Sequence, residues 1–415
     1  MDRSKKLTLL VLLVVAVGIN YIDRGTLSVA KPDLAKEFAI DDTRMGFLFS
    51  AFFWSYALFQ IVAGWLVDRY DVKWVYAIGF LVWSLATAAM GVLSGFWVFF
   101  ALRLILGVGE SVAYPATSKL LAANYAEEQR GFANALIDAG TKIGPALSTL
   151  LGGLVVAHYG WRALFLFVGI GSLLWLIPWL WLVPSEKRRE KAADDVVAAA
   201  VPGVAWSVLL LRREVWVTSL GMFCLGYAWY FLVSWLPSYL VEERGFSKED
   251  MAVFGSLPFW AMAATSLVGG WCSDRWIRAG GTPNRVRKTF LVTGFLLCAV
   301  LMVAAVRATE AGRCVAFLTA ACAALGFYSS NVWAVTQTLA GTAAAGRWTG
   351  LQNCIGNLGG VVSPVVTGMI VTRTGSFALA FTASAAMLVV GAILYAVLLG
   401  RITPIDWAQR RGESS

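Results

Sequence analysis

Apolar runs long enough to cross a bilayer recur along the whole chain, and they constrain its fold more than any other feature. About 20 helical residues rising ~1.5 Å each span a ~30 Å hydrocarbon core. Twelve such runs can be read, near 7–30, 44–67, 74–94, 96–122, 132–157, 162–182, 214–240, 250–272, 289–307, 314–340, 350–372 and 377–399. Charged residues are 14% of the 415 and hydrophobic ones 59%, too few charges to clothe a soluble protein of this length. The expectation is an all-α membrane protein with twelve transmembrane helices. Leu7–Ala30 is too long for the apolar core of a secretory signal, and no small-residue cleavage site follows it. It counts as the first span.

The net charge of +9 would suit a nucleic-acid partner only if the basic residues clustered on one surface. They are sorted by loop instead. With the N-terminus inside, 22 of the 34 Lys and Arg fall in cytoplasmic segments and nine in outer loops. That is the positive-inside pattern, so both termini are expected in the cytoplasm and no nucleic acid is expected as a partner. The six cysteines lie singly in apolar stretches, without a CxxC pair, and His158 is the lone histidine. Neither a disulfide framework nor a metal site is expected. The polar segments hold no paired nucleophile and base and no phosphate-binding loop, so neither catalysis nor a cofactor is expected.

The longest polar break, Pro184 to Arg213, contains SEKRREKAADD and parts six runs from six. The expected organisation is an N-terminal six-helix bundle (1–183), a cytoplasmic linker (184–213) and a C-terminal six-helix bundle (214–415). Val196 to Leu211 has the pattern of an amphipathic helix at the interface. The halves echo each other. Gly64-Trp-Leu-Val-Asp68-Arg69 follows the second run, and Gly270-Trp-Cys-Ser-Asp274-Arg275 follows the eighth. The fifth run carries Gly144-Pro145 and Gly152-Gly153; the eleventh carries Gly359-Gly360, Pro364 and Gly368. Internal repeats with broken helices are the plan of secondary transporters.

Six ionisable residues lie well inside the runs: Asp23, Arg24, Arg103, Glu110, Asp138 and Lys142. Each costs on the order of 2.5–3.5 kcal/mol to insert at mid-membrane, so each marks a functional site by default. Arg103 and Glu110 are seven apart, two turns or ~10.5 Å along one helix face. Each therefore needs a partner elsewhere, and Asp23 or Arg24 is the natural candidate. Asp138 and Lys142, four apart, can pair with each other; Lys142 facing a cavity would instead favour a dianion. An arginine can fork a carboxylate bidentately, and a buried carboxylate can exchange its proton in competition with a bound anion.

The GWLVDR stretch resembles the cytoplasmic loop motif of the major facilitator superfamily, roughly G-x-L-a-D-r-x-G-r-k, with Asp71 and Val72 replacing the later Gly and Arg. Its acidic and basic residues, Asp68, Arg69, Asp274 and Arg275, would be gating contacts that break when the bundles rock, or else caps and anchors of their helices. Tyr21-x-Asp23-Arg24, Tyr56, and Arg103 with Glu110 resemble the anion:cation symporter branch. That branch holds bacterial galactonate, hexuronate and glucarate transporters, with vesicular glutamate transporters and sialin as distant relatives. The resemblance implies that Arg24 holds the substrate carboxylate, that Asp23 and Glu110 are the protonatable pair, and that Arg103 links them. It also implies polar contacts from Ser330 and Asn353, with Trp333 as a cavity wall. Tyr227, Trp229 and Tyr230 either stack on a substrate ring or serve as packing aromatics. Gln337, Gln352 and Asn357 are further candidates for substrate hydroxyls.

The expected function is proton-coupled import of a small organic anion, foremost a sugar acid such as a hexonate, hexuronate or aldarate, by alternating access. The setting would be a bacterial inner membrane, and the working unit a monomer. The alternatives are a transporter of another carboxylate (an aromatic acid or dicarboxylate), a drug or cation extruder, and a non-transporting membrane sensor. Arg24 and Arg103 count against an extruder, and the lack of a soluble signalling module counts against a sensor.

Overall fold

The apolar runs become helices, and no strand occurs among the described residues. The computed structural model describes residues 3–125, 127–185 and 204–407; the side chains of residues 3, 68, 122, 127–132, 330, 342 and 343 lie outside that description. Ten of the crossings each occupy their own apolar stretch: α1 (Ser4–Phe38), α2 (Asp42–Val67), α3 (Val72–Val92), α4 (Phe96–Leu121, with a turn at Ser111 and Val112), α7 (Arg213–Glu243), α8 (Lys248–Arg278), α9 (Pro283–Arg307), α10 (Ala311–Gly341), α11 (Ala344–Thr374) and α12 (Ala378–Leu398). The remaining apolar stretch, Ala133–Leu182, runs 50 residues but breaks at Gly160, where φ is 80°. Only glycine enters that region without steric cost, so the stretch makes two crossings, α5 (133–159) and α6 (161–182). The twelve expected helices are accounted for, and the chain is a multi-pass membrane protein.

Local chemistry sets several helix starts. Asp41 accepts the Arg44 N–H at 2.8 Å to open α2, and Asp71 accepts the Lys73 N–H at 3.0 Å to open α3. Thr282 caps α9, with Pro283 in its first turn. Such caps satisfy amide groups that a helix start otherwise leaves orphaned. One boundary differs from the sequence reading. Lys31-Pro32-Asp33 looks like the exit of the first span, yet α1 continues through Pro32 to Phe38. Proline removes one backbone hydrogen bond, and the flanking charges stay helical because each has a partner on a neighbouring helix, as described below.

By contacts the chain forms two compact units. Of the described residues, unit 1 holds those within 3–185, 230–260 and 360–380, and unit 2 holds 204–229, 261–359 and 381–407. In unit 1, glycines let helices meet backbone to backbone. A methyl group at Gly107 of α4 would overlap the Phe52 carbonyl of α2, and one at Gly144 of α5 would overlap Tyr21 of α1. After Pro145 the helix widens to a π-turn, Ser148–Gly152. Such turns often sit beside functional sites. Here the Ser148 hydroxyl donates to the carbonyl of Ile22, next to Asp23, at 3.0 Å.

Unit 2 is held by neutral polar pairs inside apolar packing. Tyr328 and Tyr395 hydroxyls meet at 2.9 Å, Trp348 Nε1 donates to Thr218 Oγ1 at 2.9 Å, and Ser273 Oγ donates to Asn331 Oδ1 at 2.7 Å. Gly226 and Gly359 bring α7 and α11 into backbone contact. Of the predicted linker, 186–203 lie outside the described residues, as does much of the predicted interfacial helix; its described part forms one short helix, Trp206–Leu210.

Candidate functional site

The four charged residues at the heart of the sequence reading come together inside unit 1, and all are buried. Asp23 and Arg24 lie in the middle of α1, while Arg103 and Glu110 lie two turns apart on α4. Arg24 Nε donates to Glu110 Oε2 at 3.1 Å. Thr87 Oγ1 on α3 donates to Asp23 Oδ1 at 2.9 Å. Arg103 Nε donates to the carbonyl of Leu48 on α2 at 3.3 Å. The sequence leaves open which α1 residue completes which α4 residue. The answer is Arg24 with Glu110, whereas Arg103 finds a backbone carbonyl, a partner no sequence pattern reveals.

Aromatic faces enclose the arginines. The Arg24 guanidinium carbon lies 4.5 Å from the ring centre of Tyr21, 4.8 Å from Phe52 and 4.7 Å from Tyr56. The Arg103 guanidinium lies 5.2 Å from the same Phe52 ring. Ring faces carry negative potential and stabilise a cation, by ~2 kcal/mol or more when water is excluded. Tyr114 and Tyr230 also lie within electrostatic reach of Arg24, and Tyr230 packs on Phe53 at 4.4 Å. Two tyrosine rings and one phenylalanine ring thus enclose one guanidinium.

The inventory of unused polar atoms says what the cluster can do. Arg24 has its Nε on Glu110, but its Nη1 and Nη2 are buried with no hydrogen-bond partner among the described residues. The same holds for Arg103 Nη1, Glu110 Oε1, Asp23 Oδ2 and both amide atoms of Asn20. Buried polar atoms without partners are costly, so each calls for an explanation. The Nη pair of Arg24 is the fork that grips a carboxylate end-on. Two acids and two arginines sum to zero, so an added anion unbalances the cluster by one charge and an added proton restores neutrality.

The other sequence candidates are placed as follows. Tyr21 and Tyr56 join the cluster. Trp333 and Asn353 lie in unit 2, each partly buried, and the Asn353 carbonyl accepts the Asn357 side-chain amide at 2.8 Å. Ser330 is in unit 2 as well, and its side chain lies outside the described residues, as does that of Asp68 in unit 1. Gln352 is buried and accepts from Thr336, whereas Gln337 is exposed. Lys142 is paired with Asp138 one turn away on α5. The repeated loop motif gives the same contact in each copy: Arg69 lies over Trp65, and Arg275 over Trp271, both at 5.5 Å. Asp274 is exposed, and its carbonyl accepts Arg278 Nε at 3.4 Å.

Sequence reasoning passed over Asn20, Thr87 and Tyr114. Asn20 had a signal, being a costly amide in an apolar run beside Asp23. Thr87 had none, since one threonine in a membrane helix usually bonds its own backbone. Tyr114 stands one turn beyond Glu110 on the same face, a spacing that links it to the cluster.

A family model described as Major Facilitator Superfamily matches residues 13–364. The chain belongs to the major facilitator superfamily. It is a transporter rather than an enzyme, in the branch of galactonate-, hexuronate- and glucarate-type members. A probable sulfoacetate transporter of Cupriavidus necator is 31% identical over 387 residues, covering 90% of this chain and 89% of that protein. A probable galactarate/D-glucarate transporter of Escherichia coli is 30% identical, covering 96% and 94%. A hexuronate transporter of Bacillus subtilis is 31% identical, covering 92% of each. Among solved structures, a bacterial homologue of the human lysosomal transporter Spinster superposes with a TM-score of 0.79 at 17% identity, covering 95% of this chain and 97% of that one. That likeness shows the fold, and the family model names it as the major facilitator fold.

Proposed function

We propose that the chain imports a small organic anion together with protons, and that a sugar acid (hexonate, hexuronate or aldarate) is its substrate. One observation carries this reading: a charge-neutral buried cluster in which Arg24 keeps one nitrogen on Glu110 and has its Nη fork unpartnered. The galactarate/glucarate and hexuronate relatives support a sugar acid; the sulfoacetate relative favours a second reading, a smaller organic dianion. A cation extruder would have no use for two buried arginines.

In this mechanism protons arriving from outside neutralise Asp23 and Glu110. The freed positive charge of Arg24 and Arg103 then attracts the anion, whose carboxylate takes the Nη fork. Release inside follows loss of the protons, because Glu110 recaptures Arg24. Tyr21 and Tyr56 hold the guanidinium in place, and Ser330, Trp333 and Asn353 contact the rest of the substrate. Two six-helix bundles, 1–183 and 214–415, rock about this centre, with Asp68, Arg69, Asp274 and Arg275 as cytoplasmic gating contacts. The protein works as a monomer in a bacterial inner membrane, both termini in the cytoplasm, with the proton as its coupling ion and no other cofactor.

The test uses proteoliposomes and a thermal-shift screen. The screen runs hexonates, hexuronates, aldarates, aromatic acids, other dicarboxylates and sulfoacetate to find the ligand. With that ligand, Glu110→Gln abolishes accumulation driven by a pH gradient while counterflow exchange survives. Accumulation that persists in Glu110→Gln removes Glu110 from coupling.

A further inference from the structure

Lys31 stands one residue past the first apolar run, at the place where the sequence predicts the end of the span. Its ammonium lies 2.6 Å from Asp42 Oδ1 on α2 and 2.6 Å from both carboxylate oxygens of Glu242 on α7. The Trp235 ring centre is 5.5 Å away. All four residues belong to unit 1. The Lys31 side chain is 3% exposed, against 22% for Asp42 and 33% for Glu242.

We propose that Lys31, Asp42 and Glu242 form a second proton-responsive site, an outer latch joining α1, α2 and α7 that loosens when Glu242 takes a proton from the outside. The proposal rests on the transporter reading above for its orientation, in which this end of α1 faces out.

The charge count makes the latch releasable. One ammonium with two carboxylates carries one surplus negative charge, so a single proton can be accepted without leaving a buried ammonium uncompensated, the arrangement that would be most costly. Helix ends decide which acid accepts it. Asp42 stands in the first turn of α2, where the helix dipole favours an anion. Glu242 stands in the terminal π-turn Tyr239–Glu243 of α7, where unpaired carbonyls oppose one. Glu242 is also the more exposed of the two. The reaction is a simple one: water outside supplies the proton, the carboxylate becomes a carboxylic acid, and Lys31 stays with Asp42.

Neighbouring charged groups are otherwise engaged. On α1, Asp33 pairs with Lys248 of α8 at 2.7 Å, and Glu37 pairs with Arg162 and accepts Trp161 Nε1. On α2, Asp41 caps its own helix through the Arg44 amide. On α7, Glu243 accepts the Phe377 amide at 2.6 Å, and Arg244 donates to the Tyr239 hydroxyl. On α8, Asp250 is bonded to Ser247, and Glu249 is exposed, as is Arg373 on α11. None of these adds to the charges touching the Lys31 ammonium. Other bonds hold these helices: Ser28 Oγ of α1 donates to the Ser234 carbonyl of α7 at 2.7 Å, and Thr43 Oγ1 of α2 lies 3.0 Å from Thr372 Oγ1 of α11. Those are neutral, and no proton loosens them. The latch is also separate from Asp23 and Glu110, since Lys31 stands eight residues beyond Asp23, ~12 Å along the helix.

The experiment follows opening at Ser28, a buried residue one turn from Lys31. Ser28→Cys is placed in the full chain and labelled with a membrane-impermeant maleimide on right-side-out vesicles. Rates are taken relative to an exposed outer-loop reference, Thr309→Cys, and above the parent with its six native cysteines. Acidifying the outer medium should raise relative labelling several-fold. Glu242→Gln should show the fast rate at neutral pH with no further rise on acidification. Asp42→Asn, which leaves Glu242 as the sole counter-charge, should blunt the acid response, and it serves as the readout if Glu242→Gln fails to reach the membrane. Glu110→Gln should keep the response. An acid response unchanged in both Glu242→Gln and Asp42→Asn, or one lost in Glu110→Gln alone, overturns the latch and leaves the transport reading standing. A response that follows Glu242 in a protein whose anion uptake ignores the pH gradient keeps the latch and removes the coupling.

Discussion

The interiors of the two units solve the same packing problem differently. Unit 1 buries Asp23, Arg24, Arg103 and Glu110 and leaves several of their atoms without hydrogen bonds among the described residues. Unit 2 fills its interior mainly with neutral groups: Tyr328 meets Tyr395 and Trp348 meets Thr218, while Ser219, Thr319, Gln352 and Ser384 each keep a buried atom without a hydrogen bond among the described residues. The loop motif, by contrast, is reproduced down to the Arg-over-Trp distance. A repeated sequence has preserved scaffold contacts while the expensive charges are gathered in one half. We read the charged half as the place of anion capture and proton exchange, and the neutral half as the place where substrate shape is told apart.

That contrast can be broken most forcefully at Arg24. Arg24→Gln strands a buried carboxylate, a change of about 3–5 kcal/mol; transport should vanish and the melting temperature should fall. Adding Glu110→Gln to it should restore the melting temperature without restoring transport, because the charge imbalance is repaired but the fork is not. Recovery of transport in the double variant would make the pair structural. Arg24→Lys is a finer instrument. It keeps the charge and loses the planar fork, so the apparent affinity should weaken about tenfold or more, as expected for one lost charge-assisted bond. Isothermal titration with the ligand found in the screen would measure it.

Unit 2 should respond in another way. Trp333→Ala and Asn353→Ala should alter the ranking of hexonates against dicarboxylates several-fold while the number of protons per anion stays constant. A changed stoichiometry would mean that coupling extends beyond the charged half. The smallest effects belong to the shared motif. Trp65→Leu and Trp271→Leu each remove one exposed cation–π contact, about 0.5–1 kcal/mol, and should slow uptake to similar, modest extents. A large effect from one alone would show that the two copies have diverged in role.

Much of this was legible in the sequence because membrane insertion makes charge conspicuous. Asp23, Arg24, Arg103 and Glu110 stand out in apolar runs, and the twelve runs announce the helices. What stayed hidden has physical causes. The partner of Arg103 is the carbonyl of Leu48, and every residue has a carbonyl. The partner of Asp23 is a single threonine hydroxyl. Lys31 was hidden by Pro32, which marks a helix end in most contexts but is carried inside α1 here. Gln337 and Gln352 look alike as lone glutamines in apolar runs, yet Gln337 is exposed and Gln352 is buried against Thr336. Facing direction is a property of packing, and a lone glutamine gives no period from which to read it.

The most direct measurement of the central claim is proton movement itself. Vesicles holding the purified protein in weakly buffered medium are given the anion identified by the screen, with no imposed gradient, and the outer pH is followed with an electrode. The proposed symport predicts that the medium turns alkaline as the anion enters, and that Glu110→Gln exchanges the anion without that signal. Entry of the anion in the unmodified protein with no change in outer pH would contradict it.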